Sequence, residues 1–411
     1  MKAANGLVRQ GGFKRRFFRW IYQLSLFAVA AIIAVFLLEV GFRLSRRGSI
    51  GFDRLEWGAG EQVGQPTKIY EKTNEFEFSA TMNQHGFRGA EISLKKADGI
   101  RRIVILGDSF EFGWGVNDEQ TFSYLLDQEI NRGQRRYEII NAAGGSLSPL
   151  IYYVMLKKKL LEFRPDVVVV FLNYADIRED YLYKRNIIRD AHNHIMDVNP
   201  LYIDGRLDFW RWLRNKSELC SYTYNKVWRT FRKIQLLGFW TYIKTKLRGE
   251  RSRDVMFGRE QAIRKEIPPI EFDPYFMLRE HADVEGIKKY WSETSQYLSM
   301  IHELLRRDQI PLILTVLPNG VQVGPNQWNK GRTLWGFEQG RVYDNPLMRD
   351  LFHSFAREHG IGFVDLLPFF KEAGDRPLFF NRDGHLRPEG HAALAKGLLS
   401  SPDFRAKLDL R

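Results

Sequence analysis

Read for apolar and polar positions, the chain falls into three stretches of different rhythm. The first is continuous. From Trp20 to Phe42 it reads WIYQLSLFAVAAIIAVFLLEVGF, with no charge between Leu24 and Leu38. A run of this length spans a bilayer as a single helix. The second stretch, residues 43–100, is polar, mixed and short on periodicity, and predicts a juxtamembrane stalk leading into an irregular segment. The third is regular. Short runs at 103–106, 137–141, 166–172, 310–317 and 361–367 are almost wholly apolar, as strands buried on both faces of a parallel sheet are. Helical patterns at 118–132, 150–163, 285–307, 345–359 and 388–400 separate them. Strands alternating with helices predict an α/β fold, a three-layer α/β/α sandwich around a parallel sheet, over residues 101–405. The rhythm breaks at about 186–284, which is expected to be a helical insertion.

Charge adds an orientation to this picture. Lys2, Arg9, Lys14, Arg15, Arg16 and Arg19 precede the apolar span, while Arg43, Arg46 and Arg47 follow it. The bias predicts a cytoplasmic segment at 1–19, and the span 20–42 has no good cleavage site after it. An uncleaved signal anchor in the plasma (inner) membrane follows, with the remainder extracytoplasmic, in the periplasm if the cell has two membranes. The formal net charge is +13. Residues 206–253 hold thirteen Lys and Arg against three Asp and Glu, together with Trp210, Trp212, Trp228 and Trp240. In the cytosol that mixture would point to nucleic acid. Outside the membrane no nucleic-acid partner is expected, and the stretch suits anionic headgroups or an acidic glycan. A solvated amphipathic insertion fits it equally well. Oligomeric state is not legible.

Two segments carry candidate chemistry. The first is RRIVILGDSFEFGWGV, residues 101–116, in which a buried strand runs into Gly107-Asp108-Ser109. Either Ser109 caps a helix or the strand presents it as a nucleophile, since active groups in such sheets collect at the carboxyl ends of the strands. The second is FFNRDGHLRPEGHAALAKGL, residues 379–398. Asp383 and His385 stand two apart, so in an extended segment both side chains share one side. Pro388 then opens the next helix. A histidine held by a carboxylate is what a serine hydroxyl needs to lose its proton. Other residues read more plainly. His391 has the spacing of a packed helix position, Asp108 shapes its turn, and Asp365 is either a further partner or a turn residue. His192 and His194 lack a nearby carboxylate cluster, and Gly113-Trp114-Gly115 is no dinucleotide fingerprint. The single cysteine, Cys220, excludes an intramolecular disulfide and a cysteine metal cluster. No metal and no cofactor is expected.

In combination, four blocks resemble the SGNH, or GDSL-type, hydrolase family and its membrane-anchored bacterial members: GDSF with GWGV, NAAGGSLSP from Asn141, FLNYADIRED from Phe171, and DGHLRPEGH from Asp383. The lead MNQHGFRG at 82–89 is also similar to anchored members. The resemblance covers roughly 80–185 and 285–400. It implies a flavodoxin-like fold, with Ser109 as nucleophile, His385 as base and then acid, and Asp383 as its orienter. The implied oxyanion donors are Ser109 N–H, the glycine block at Gly145 and Ser146, and an asparagine. The chain departs from the pattern at Arg382, where most members carry the carboxylate. It departs again at Ser146, the usual glycine, and at Ala175-Asp176, the usual Asn-Asp, which leaves Asn173 as the candidate side chain. The expected activity is a serine-dependent ester hydrolase, an acyl or acetyl esterase, acting on esterified envelope or exported polysaccharide. The alternatives are an O-acyltransferase with the same triad and a non-catalytic glycan-binding or assembly protein.

Overall fold

A computed structural model describes residues 7–45, 67–198, 273, 275–279 and 284–410 of the protein, distributed over two units. Of the first unit, the described part is one helix, α1 (Leu7–Ser45). Its segment Phe18–Gly41 is long and apolar enough to cross a membrane. Large apolar side chains such as Phe27 and Ile32 stand 75% and 68% exposed along it, as a lipid-facing surface would. The basic aromatic stretch 206–253 lies outside the described residues.

The second unit opens with an antiparallel hairpin, β1 (Thr67–Lys72) and β2 (Glu77–Met82). Then come β3 (Arg101–Leu106), β4 (Tyr137–Asn141) and β5 (Val167–Leu172). A second hairpin, β6 (Ile187–Arg189) and β7 (Ile195–Val198), precedes β8 (Leu312–Val316) and β9 (Gly362–Asp365). The helices are α2 (Ser109–Phe112), α3 (Phe122–Ile130), α4 (Pro149–Lys158), α5 (Asp176–Tyr183), α6 (Val284–Arg307) and α7 (Gly320–Val323). They continue with α8 (Asn329–Leu334), α9 (Leu347–Glu358), α10 (Leu367–Glu372), α11 (Pro388–Ser400) and α12 (Pro402–Leu408).

Five strands form one parallel sheet in the order β4-β3-β5-β8-β9. Counted along this sheet the order is 2-1-3-4-5, the doubly wound arrangement whose crevice opens between the first and third strands, here β3 and β5. Helices α3 and α11 pack together, as do α4, α5 and α6, with Trp291 of α6 edge-on to Phe352 of α9 at 5.2 Å. The three-layer expectation holds for the physical reason that suggested it. Ile103 to Leu106 and Val167 to Leu172 are at most 1% exposed, and burying each such side chain is worth about 1.5–3 kcal/mol. A stretch of that kind is stable only between two covering layers.

Two expectations need correction. The lead was expected to be irregular, yet β1 and β2 pair over six residues. Phe78, Ala80 and Met82 are buried, whereas Glu77 and Ser79 are exposed, so a period-two pattern of one apolar face was present in the sequence. The hairpin packs Ile69, Phe76, Phe78, Ala80 and Met82 against Phe112, Val116, Ala143 and Phe380. The segment from 186 onward was expected to be helical, but its described start is the β6–β7 hairpin, closed by Asp190, whose carboxylate accepts from the backbone N–H groups of His192 and His194.

Candidate active site

The strand β3 delivers the serine. Asp108 follows it in a non-helical conformation and caps the four-residue helix α2, its Oδ1 accepting from Phe110 N–H at 2.8 Å. Glu111 returns the favour, its Oε2 accepting from Asp108 N–H at 3.1 Å, which completes a capping box. Thus the cap is Asp108 and not Ser109. The helix-capping explanation of the serine is removed, and Ser109 takes the first helical position with its hydroxyl outside the capping bonds. Gly107 is required here because a Cβ would lie 2.6 Å from Glu111 Oε2.

The histidine comes from the turn between β9 and α11. His385 Nε2 lies 2.8 Å from Ser109 Oγ, and His385 Nδ1 lies 2.5 Å from Asp383 Oδ1. With Nδ1–H donating to the carboxylate, Nε2 carries the free lone pair and the serine hydroxyl donates to it. Serine, histidine and aspartate are therefore in line, with Ser109 and His385 276 positions apart in the sequence. An extended segment is not what brings Asp383 and His385 together. Residues 381–383 form a turn and not an extended segment; Gly384 has φ 97, and Asp383 Oδ1 also accepts from His385 N–H at 3.3 Å. The carboxylate reaches the imidazole through this local turn. A side chain at Gly384 would be strained by that φ and would meet Trp328 Nε1 at 2.7 Å.

Across the β3–β5 crevice stands Asn173, 3% exposed. Its Nδ2 donates to Asp108 Oδ2 at 2.8 Å, and its Oδ1 accepts from Ala175 N–H at 2.7 Å. Asp176 is fully buried and spends Oδ2 on Asn173 N–H at 2.6 Å. The asparagine two residues early is thereby tied to Asp108, the residue beside Ser109. Ser146 is exposed with φ 54, and its carbonyl accepts from Tyr183 Oη at 2.9 Å. Gly145 is half-buried beside it. Their loop meets the serine strand through Gly144 N–H, which donates to Gly107 O at 3.2 Å.

Burial dominates the electrostatics behind the serine. It raises the Asp108 carboxyl, against the opposing effects of Phe110 N–H, the His385 charge and the Asn173 amide. Glu111 is pushed well above the ordinary range by burial and then by Asp108. Asp176 and Glu179 are raised in the same way, burial first. Burial thus disfavours the ionised form of each of these groups.

The other candidates fall away from the triad. Asp365 accepts from Leu367 N–H at 3.0 Å and faces Arg349, the turn reading. His391 is fully buried, stacks on Phe122 and accepts from its N–H through Nδ1 at 3.3 Å, while burial lowers its pKa to about 3. His194 pairs with Asp190 in the exposed second hairpin. Among the described residues no group of three or more metal-ligating side chains occurs.

Several residues of the site were missed in the sequence. Arg88, in the lead, is 5% exposed and donates to the carbonyls of Phe112, Gly113 and Val116 at 2.8, 2.6 and 2.7 Å while pairing with Asp118 at 2.9 Å. Trp328 donates from its indole to Arg382 O at 3.2 Å. Trp114 is half-buried, its ring centre 6.3 Å from that of His385. Arg88 and Trp114 had a signal, lying inside the motif-like MNQHGFRG and GWGV; Trp328 had none.

Ser109 follows the first strand of the parallel sheet, and the segment with Asp383 and His385 follows its last. No family model and no curated protein matches the sequence. Among solved structures it is similar to TesA, at 12% identity and TM-score 0.36, over 75% of this chain and 99% of that one. It is similar also to the acetyl xylan esterase AlAXEase, at 13% identity and TM-score 0.35, over 73% and 98%. A third is AlinE4, an SGNH-hydrolase family esterase, at 16% identity and TM-score 0.30, over 69% and 83%. The chemistry assigned below rests on this chain's own side chains.

Proposed function

We propose that the protein is a serine ester hydrolase of the SGNH type, anchored by α1 with its catalytic unit outside the plasma membrane. The observation that carries the reading is the aligned Asp383–His385–Ser109 chain, with 2.8 Å between His385 Nε2 and Ser109 Oγ. In the mechanism Ser109 Oγ attacks the ester carbonyl as its proton passes to His385 Nε2. Asp383 holds Nδ1–H and stabilises the imidazolium. The C–O bond to the alcohol breaks, His385 returns the proton to the departing oxygen, and an acyl-serine remains. Water, deprotonated by the same Nε2, then releases the acid and restores the serine.

The tetrahedral oxygen is assigned to Ser109 N–H, Gly145 N–H beside Ser146, and Asn173 Nδ2. An amide nitrogen carries two hydrogens; Asp108 takes one from Asn173, and the other is assigned to the oxyanion. The substrate class proposed is an ester-bearing exported or envelope glycan. The anchor helix supports this location. A sugar hydroxyl in place of water in the second step would make the same triad an O-acyltransferase.

Two experiments test the reading. Turnover of p-nitrophenyl acetate by the full-length protein should vanish with Ser109→Ala; wild-type rates in that variant would refute the serine mechanism. A C-terminal alkaline phosphatase fusion should be active in intact cells, and an inactive one would place the unit in the cytosol.

A further inference from the structure

The loop that carries Asp383 is held by a residue from the other end of the unit. Glu75 lies in the turn between β1 and β2, where the Thr73 hydroxyl oxygen accepts from Glu75 N–H at 3.1 Å and from Phe76 N–H at 3.2 Å. Its two carboxylate oxygens accept from two consecutive backbone amides, Arg382 N–H at 2.8 Å and Asp383 N–H at 2.7 Å. One carboxylate thus fixes two adjacent peptide planes immediately before the Asp383 side chain. The neighbouring rings lock the same approach, with Phe76 at 4.7 Å from Phe380.

This arrangement has an electrostatic cost. Glu75 is half-buried, and burial and the Asp383 charge both disfavour its ionised form, against the Asp383 amide, Lys330 and Arg387. Placing a second carboxylate beside the triad's own is unfavourable unless its hydrogen bonds do something that a neutral turn would not. What they fix is the position of Asp383, and through it the imidazole that must stay in line with Ser109.

We propose that Glu75 is a positioning residue for the ester chemistry, holding the Asp383 backbone so that His385 stays aligned, and that the β1–β2 hairpin is therefore part of the active site. The inference rests on the ester-hydrolase reading above.

The test uses steady-state turnover of p-nitrophenyl acetate by the full-length protein in detergent. Loosening the triad by a fraction of an ångström predicts that Glu75→Ala lowers kcat about tenfold to hundredfold, with KM changed less than about twofold. Glu75→Gln keeps one acceptor oxygen and should fall between, and it carries the test alone if Glu75→Ala does not fold. Because Glu75 acts through Asp383, adding Glu75→Ala to Asp383→Asn should change kcat by less than about twofold. Glu77→Ala removes the hairpin's exposed pairing with Lys72 and should leave kcat unchanged, which separates alignment from general loosening of the hairpin. Wild-type kcat in both Glu75 variants, or an equal loss in the Asp383→Asn background, would overturn the inference while leaving the reading intact. A wild-type protein without Ser109-dependent turnover would overturn the reading itself, and the inference with it.

Discussion

The serine arm and the histidine arm of the site are built in different ways. Around Ser109 the geometry is local. Strand, capping box and short helix lie within Arg101–Phe112, and Asp108 and Glu111 satisfy each other's groups three residues apart. Around His385 the geometry is borrowed. Glu75 holds the amides of 382 and 383, and Trp328 holds the carbonyl of 382, across separations of 307, 308 and 54 positions. A nucleophile can be placed by a strand end because the sheet is rigid. The turn carrying His385 has no such foundation and is gripped from outside.

The largest effect should come where the two arms meet, in the three residues themselves. Asp383→Asn should cost up to ~10⁴ in kcat, because the amide cannot hold the Nδ1–H tautomer. Ser109→Ala and His385→Gln should be as severe, and double mutants little worse, since the three work as one. Steady-state kinetics on the singles and doubles checks this, and additive losses would contradict it.

A second experiment separates stability from chemistry on the serine arm. Arg88 braces the carbonyls just beyond α2 from within the lead. Arg88→Met removes the buried donor from those carbonyls and leaves Asp118 to the Thr81 N–H, and should cost about 3–5 kcal/mol of stability. Because Ser109 is placed locally, the folded fraction should keep its kcat; denaturant melts and kinetics on the same preparation read both quantities.

Asn173 bridges the two sides of the crevice, so its loss measures the oxyanion assignment. Asn173→Ala should lower kcat by ~10²–10³, the usual effect of removing one such donor. An unchanged kcat would confine Asn173 to holding Asp108.

The smallest effect is a pH slope in stability. Burial raises the Asp180 carboxyl to about 7, against bonds from Ser148, Leu150 and Thr294, and Glu293 raises it further. A carboxyl raised on folding stays protonated in the folded protein where the unfolded chain has ionised. Its contribution is complete below the unfolded value of 3.8 and is lost as the pH climbs toward 7. Over that window stability should fall by up to about 1.4 kcal/mol per pH unit. Asp180→Asn keeps the acceptor for Ser148 and Leu150 and should flatten the curve in urea melts across the window from 3.8 to about 7.

The same contrast explains what the sequence disclosed. The core strands were legible because each holds a cluster of apolar residues, unbroken over Ile103–Leu106, Val167–Leu172 and in β8 apart from Thr315, and Gly107-Asp108-Ser109 was legible because its geometry is contained in adjacent positions. Asp383 and His385 were legible as a pair, but their turn was not: Gly384 looked like one more flexible residue, and its φ of 97 answers to Trp328, 56 positions earlier. Glu75 gave no signal at all, since an acidic residue in a polar lead resembles any solvated one. The hairpin holding it did give one, in the alternation of Phe76, Phe78, Ala80 and Met82, which the surrounding polar residues obscured.

The central claim is that Ser109 is an activated nucleophile, and covalent labelling reads it directly. The full-length protein is treated with a fluorophosphonate probe and its intact mass followed with time. The account predicts one adduct, on Ser109, absent in Ser109→Ala and much slower in His385→Gln. Equal labelling of Ser109→Ala, or an unmodified wild type that is folded, would contradict it.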